Sequence, residues 1–400
     1  MTELTMFAFP ADLVDEGVEA ALDRIRAAGM NGVSLAALYH DGRDLLPHNP
    51  RVRVKFQEDG ATFFGVDDTR FAGIQPIRSA RGVPFDRVRD IAGKRGLVTI
   101  AWTVFLHNTS LGRRNPDAVT RNVFGDPQFT SLCPANPATV EYSLAIAAAI
   151  ADSGVEALNA EGLHYLPFEH GYHHERYFLR IGPIDRLLLG ICFCSHCCDR
   201  AARGGVDVPA LVAGVRERLE RVFANAASFD PGPDTPDRVA ALWQGALSAF
   251  LAIREATVTE LATAVRDTLS ERSTRFIFND PAGALRKPGT DGLESNESWR
   301  LGIDPLAVAG VCDEIQMLGY SVEPAVVERD VDDYLRRIGS AVPLRVALRP
   351  TFPDCESTVN LADKLSRLHR PEVRAVDFYA YDFMRLEEVD RVRDAVAAAG

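Results

Sequence analysis

Cys192, Cys194 and Cys197 stand in the run Ile191-Cys192-Phe193-Cys194-Ser195-His196-Cys197, a C-x-C-x2-C spacing. Thiolates this close converge on one tetrahedral zinc at about 2.3 Å without straining the backbone. Three thiolates want a fourth ligand. Cys133, in Leu132-Cys133-Pro134-Ala135-Asn136-Pro137, is the preferred candidate, with Cys198 and His196 as local alternatives. A site of four thiolates has no open coordination position, so its expected role is to staple loops rather than to do chemistry. The chain has seven cysteines, and an odd, crowded set suits a metal better than paired disulfides. Cys312 and Cys355 are read as packing residues. Redox chemistry is disfavoured, since it expects C-x-x-C opening a helix in a thioredoxin-like setting.

A second kind of chemistry is written in Val155-Glu156-Ala157-Leu158-Asn159-Ala160-Glu161-Gly162, an apolar run that ends in an acid and a glycine. A carboxylate at the mouth of a strand must be solvated, paired or held protonated by an apolar wall. Cleaving a glycosidic bond takes one carboxylic acid to protonate the leaving oxygen and usually a second carboxylate about 5–9 Å away. Glu161 is the expected acid. Asp280, directly after Phe276-Ile277-Phe278-Asn279, ranks first as its catalytic partner; Asp382, Glu294, Glu297 and Asp354 are placed on the same face.

Polar and aromatic residues recur where strands are expected to end. Tyr39, His40, His107, Asn108, Asn159, His164, Tyr165, Tyr320, Arg349, Tyr381 and Asp382 form the expected substrate-binding set. Sugars stack their C–H faces on aromatic rings and exchange hydrogen bonds with His, Asn, Asp and Arg, so this lining suits a small carbohydrate.

These residues need a scaffold that gathers strand ends. Eight runs rich in β-branched and aromatic residues are predicted as strands, at 5–10, 32–38, 97–105, 155–159, 275–279, 314–318, 344–348 and 375–380. Helical-period segments lie between most of them, at 18–28, 84–94, 138–151, 209–226, 236–269, 360–368 and 386–399. Glycine stops follow the first two, at Gly29 and Gly96. Strand and helix in alternation predict an α/β (β/α)8 TIM barrel, with its site at the carboxyl ends of the strands. The whole chain, 1–400, is read as one barrel domain, with insertions at about 40–81 and 162–208 after strands two and four. Both insertions fall on the face where barrels build their sites.

At 400 residues and 46% hydrophobic content the chain can bury one large core. A formal net charge of -12 argues against nucleic acid or an anionic membrane as partner. The opening MTELTMFAFP has no basic segment leading into an apolar run, and no apolar stretch is long enough to span a bilayer. A cytoplasmic location is expected, with a small carbohydrate as partner, a further copy of the chain admitted, and no organic cofactor.

The residues from Cys133 to Cys197 resemble family 42 β-galactosidases and related glycosyl hydrolases. The likeness lies in the strand-four ending with Asn159 and Glu161, in Cys133, Pro134, Asn136, Pro137 and Tyr142, and in the Cys192/Cys194/Cys197 cluster. It implies that Glu161 is the general acid/base and that Cys133, Cys192, Cys194 and Cys197 hold structural zinc. Ala160 departs from the pattern, which places Asn directly before the acid. So does Leu348-Arg349-Pro350-Thr351, where the family has a glutamate nucleophile ending strand seven. The leading expectation is therefore a glycoside hydrolase acting on a small glycoside or oligosaccharide. A non-catalytic carbohydrate-binding barrel is the alternative, and so is a metal-dependent sugar isomerase or lyase, for which His173, His174 and Glu175 offer a local cluster.

Overall fold

The eight apolar runs become eight parallel strands: β1 (Glu3–Ala8), β2 (Gly32–Tyr39), β3 (Val98–Val104), β4 (Ala157–Glu161), β5 (Arg275–Asp280), β6 (Glu314–Leu318), β7 (Leu344–Leu348) and β8 (Val373–Phe378). Each pairs with its neighbours in sequence, and β1 pairs with both β2 and β8, which closes the sheet into the expected (β/α)8 barrel. The structure is a computed structural model that describes residues 3–170, 176–225, 229–285, 297–339 and 342–399.

Seven helices return the chain from strand to strand, α1 (Val18–Ala27), α2 (Pro84–Lys94), α3 (Pro137–Asp152), α4 (Ala246–Ser270), α5 (Pro305–Ala309), α6 (Pro324–Ile338) and α7 (Thr358–Leu368), and α8 (Leu386–Ala399) follows β8. Their starts follow from local chemistry. Proline opens α2, α3, α5 and α6, where its missing N–H costs nothing. Asn136 caps α3 by accepting from the Ala138 N–H at 2.9 Å, and Ser357 caps α7 through the Asn360 N–H at 3.1 Å.

One predicted helix is broken. The segment 236–269 splits into Pro236–Ala240 and α4 because Trp243, Gln244 and Gly245 all take positive φ, at 46°, 54° and 88°. Left-handed residues in succession cannot continue a right-handed helix. The predicted insertion after β4 holds two short helices, Pro183–Gly190 and Ser195–Arg203, and the helix predicted at 209–226 follows as Val208–Phe223 before α4. After β2 the chain folds back so that Ala61–Thr62 pairs antiparallel with Leu38 and Tyr39. After β3 a hairpin, Val119–Arg121 with Pro127–Leu132, leads into Cys133. Among the described residues no helix is long and apolar enough to cross a membrane.

Inside the barrel, side chains alternate along each strand. On β5 the inward set is Arg275, Ile277 and Asn279, in register with Ala157 and Asn159 of β4. Ile100, Ala157 and Ile277 form a small apolar layer of their own. Arg345 of β7 is fully buried and ion-paired with Glu3 at 2.6 Å, Glu314 at 2.8 Å and Asp377 at 2.6 Å. Three acids around one guanidinium offset the cost of removing it from water, a cost that an unpaired buried cation could not meet.

Candidate active site

Glu161 ends β4 on the same inward parity as Ala157 and Asn159, which carries its carboxyl to the mouth of the barrel. A cavity of about 210 Å³ opens there. Its polar lining includes His40, His107, Glu161, His164, His170, Asn279, Tyr320, Arg349 and Tyr379, and its apolar lining includes Phe7, Val104, Leu166, Leu301 and Leu318. Glu161 is the only carboxylate among the described residues of that lining.

Beneath it lies Trp102, fully buried on β3, met edge-on by the rings of Phe7, Phe9, Tyr39 and Tyr379. The indole Nε1 donates to Glu161 Oε2 at 2.5 Å. Removal from water pushes the Glu161 carboxyl up from the usual carboxylate range, against the opposing pull of His40 and of the Trp102 hydrogen bond. A carboxyl held toward its neutral form in an apolar wall is the state a proton donor needs.

The tyrosines sit opposite. The Tyr39 and Tyr379 hydroxyls are 3.2 Å apart, and the guanidinium of Arg349 lies 4.2 Å from the Tyr320 ring centroid while pairing with Asp354 at 3.0 Å. Along one side runs a stack of rings: Tyr39 on His40 at 4.3 Å, His40 on His107 at 4.5 Å, and His107 against His170 at 5.0 Å. His164 is buried, its Nδ1 2.8 Å from the Tyr165 carbonyl oxygen, and burial drives its pKa down to about 4.

Of the residues expected from sequence, Glu161, His40, His107, His164, Tyr320 and Arg349 line the cavity, and Tyr39 reaches it through Tyr379. Asp280 does not. It follows Asn279 on β5 and so points outward, where its carboxylate accepts from Ser298 Oγ at 2.6 Å, Tyr334 OH at 2.8 Å and the Ala282 N–H at 3.0 Å. Burial raises its pKa too, but in a closed structural pocket. Asn108 is a helix cap, accepting from the Leu111 N–H at 2.8 Å. Tyr381 turns away to Glu16, at 2.9 Å, and to Arg24. Asp382 accepts from the Phe9 N–H at 2.9 Å, away from the cavity lining. Asn159 lies in the barrel below, donating to Gln316 Oε1 at 2.9 Å. Glu297 stands 3.4 Å from Arg300. Glu294, His173, His174 and Glu175 lie outside the described residues.

Three polar lining residues were missed from sequence. Asn279 could have been found by carrying the parity of Ile277 two positions on, and Tyr379 by its place directly after β8. His170, in an irregular loop, carries no such signal.

Tyr165 belongs to the cysteines. Its hydroxyl lies 3.4 Å from Cys197 Sγ in a hydrogen bond, and the Arg254 guanidinium covers its ring at 4.4 Å. Cys133, Cys192, Cys194 and Cys197 are all buried, with ligand atoms within 4.8 Å of one another. Cys133 Sγ is 3.6 Å from both Cys194 and Cys197 and 3.9 Å from Cys192. Bonds of about 2.3 Å to a tetrahedral centre put sulfurs about 3.8 Å apart, so the four thiols already stand at the spacing of a thiolate-bound metal ion. Sulfur contacts, with Cys133 foremost, hold Cys194 well below the usual thiol range. The Arg121 N–H donates to Cys192 at 3.4 Å, the kind of outer partner that orients a ligand. Cys198 is left outside the set, donating to the Phe193 carbonyl at 3.3 Å.

No protein-family model matches the chain, and no curated protein matches it by sequence. Solved structures do match in fold. A polyextremophilic β-galactosidase from the Antarctic haloarchaeon Halorubrum lacusprofundi aligns over 100% of this chain and 58% of its own, with a TM-score of 0.58 and 15% identity. The PgaB (BpsB) glycoside hydrolase domain from Bordetella bronchiseptica aligns over 99% of both chains, with a TM-score of 0.61 and 12% identity. A β-galactosidase from the psychrophilic Marinomonas ef1 aligns over 99% of this chain and 59% of its own, with a TM-score of 0.56 and 12% identity. The chain thus spans under two thirds of the length of the two galactosidases. At such identities the likeness establishes the fold.

Proposed function

We propose that the protein is a glycoside hydrolase acting on a small glycoside or oligosaccharide, with Glu161 as the proton donor. The observation that carries this reading is the Glu161 carboxyl itself: the sole carboxylate of the described cavity lining, set on Trp102 and shifted toward its protonated form. As the bond from the anomeric carbon to the glycosidic oxygen breaks, the Glu161 proton passes to that oxygen and the alcohol leaves; a water oxygen forms the new bond to the anomeric carbon, and the proton it loses restores Glu161. Protonation by a positioned acid contributes roughly 10²–10⁴-fold. Tyr379 and Tyr320 offer ring faces and hydroxyls to the sugar, and Arg349 a fixed donor. The β-galactosidase and the glycoside hydrolase domain among the structural neighbours support this reading.

Asp280 is not placed to be the partner carboxylate, because its oxygens are already committed to Ser298, Tyr334 and the Ala282 N–H. With no second carboxylate among the described lining residues, a sugar-binding barrel without hydrolysis is the competing reading. The isomerase or lyase reading has no comparable support: the one metal-ligating group among the described residues is the buried cysteine set.

Zinc suits that set better than other ions, since four converging thiolates favour it. Cys133, Cys192, Cys194 and Cys197 would hold it, tying the loop after β3 to the excursion after β4. With four ligands the ion would brace the wall of the site and leave bond cleavage to Glu161.

The test is release of free sugar from a panel of methyl glycosides and disaccharides, whose leaving alcohols need the proton, by the wild type and by Glu161→Gln. Turnover on at least one sugar, lost in the variant while sugar binding persists, supports the reading. Sugar binding by both proteins with no cleavage by either puts the binding barrel in its place.

A further inference from the structure

We propose that His164 Nε2 and Asn279 Oδ1 form a subsite that only accepts hydrogen bonds, and that it selects a sugar ring whose hydroxyls facing β4 and β5 are unsubstituted. The inference deepens the glycosidase reading by naming a feature of its substrate, and it rests on proton positions that the barrel fixes from below.

The Arg345 guanidinium can only donate. It does so to Asp377 through Nε at 3.0 Å and Nη2 at 2.6 Å, which makes Asp377 an acceptor on both oxygens. The Gln316 group that meets Asp377 Oδ2 must then be its NH2, so Gln316 Oε1 faces the other way. That oxygen receives Asn279 Nδ2 at 2.8 Å and Asn159 Nδ2 at 2.9 Å. The Asn279 amide is therefore oriented, and its Oδ1 is left buried without a protein partner.

On the neighbouring wall the logic repeats. His164 Nδ1 lies 2.8 Å from the Tyr165 carbonyl oxygen, which can only accept, so Nδ1 carries the proton and Nε2 is a bare acceptor. Nε2 is buried and has no protein partner. Both residues line the cavity that holds Glu161. Two buried acceptors in one cavity call for donors from whatever fills it. A free hydroxyl supplies one; a deoxy, O-methyl or O-acyl position does not. A site built this way rejects the analogue that lacks the donor far more strongly than an apolar pocket rejects an added group.

The first test needs no turnover. In protein labelled with 15N-histidine, His164 should show Nδ1 protonated and Nε2 bare. On addition of D-galactose, D-glucose, D-mannose or N-acetyl-D-glucosamine, the Nε2 resonance should move for at least one sugar and stay fixed for the fully O-methylated counterpart of that sugar. A protonated Nε2, or a resonance that no sugar moves, overturns the proposal. The second test is calorimetric, in the Glu161→Gln background. Asn279→Leu should weaken binding of the responding sugar at least about tenfold and lose its preference over the O-methylated form; an unchanged preference counts against the subsite. Nε2 shifts without any hydrolysis would sink the glycosidase reading and keep the subsite, while hydrolysis with a protonated Nε2 would do the reverse.

Discussion

Trp102 supports Glu161 from one strand away, its indole N–H donating to the carboxyl at 2.5 Å. The contact favours the ionised form, yet burial outweighs it and the Glu161 pKa stands above its ordinary 4.5. Activity that depends on protonated Glu161 should be full at low pH and fall as pH rises through that raised pKa. Trp102→Phe removes a hydrogen bond that lowers the pKa, so this falling limb should move to higher pH. A pH profile of kcat/KM in both proteins checks it, and a limb that moves down or stays fixed counts against the assignment.

Asp280 offers the contrasting case. Its pocket lies outside the barrel, so Asp280→Asn should hydrolyse glycosides at close to the wild-type rate. Asp280→Ala leaves Ser298, Tyr334 and a backbone N–H unpaired and should cost about 1–3 kcal/mol of stability. Denaturant unfolding and steady-state kinetics together decide the matter. A loss in kcat of a hundredfold or more in Asp280→Asn, with the fold intact, would return it to the mechanism.

The cysteine set predicts a metal whose loss is felt first as instability. Purified protein should carry zinc, and a strong chelator should lower Tm, with hydrolysis failing only as the fold opens. Cys133→Ser should reproduce the loss. Turnover that stops at once on chelation, with Tm unchanged, would place a metal in the reaction instead.

Much of this was legible in the sequence, for identifiable reasons. Each strand was marked by a β-branched or aromatic run, and the C-x-C-x2-C spacing with Cys133 located the metal-competent cluster because thiolates so close have few other uses. The position of Glu161 at the cavity was legible because an acid ending an apolar strand must be accommodated at a mouth. What failed was finer than an element. Asp280 and Asn279 are adjacent, and strand parity sends one out and one in, a distinction that mere position at a strand end does not carry. Asn108 and Tyr165 were placed by location while their side chains were taken by tasks nearby, a helix cap and the Cys197 sulfur. The break at Trp243-Gln244-Gly245 interrupts an apolar period that continues on both sides of it.

The most direct test of Glu161 as proton donor is the leaving-group dependence of Glu161→Ala. A 2,4-dinitrophenolate leaves without help, whereas a sugar or methanol needs the proton. The account predicts that the variant keeps most of the wild-type rate of glycosidic cleavage on the dinitrophenyl glycoside and loses about 10²-fold or more on a methyl glycoside or disaccharide of the same sugar. Equal losses on both, or none on either, would contradict it.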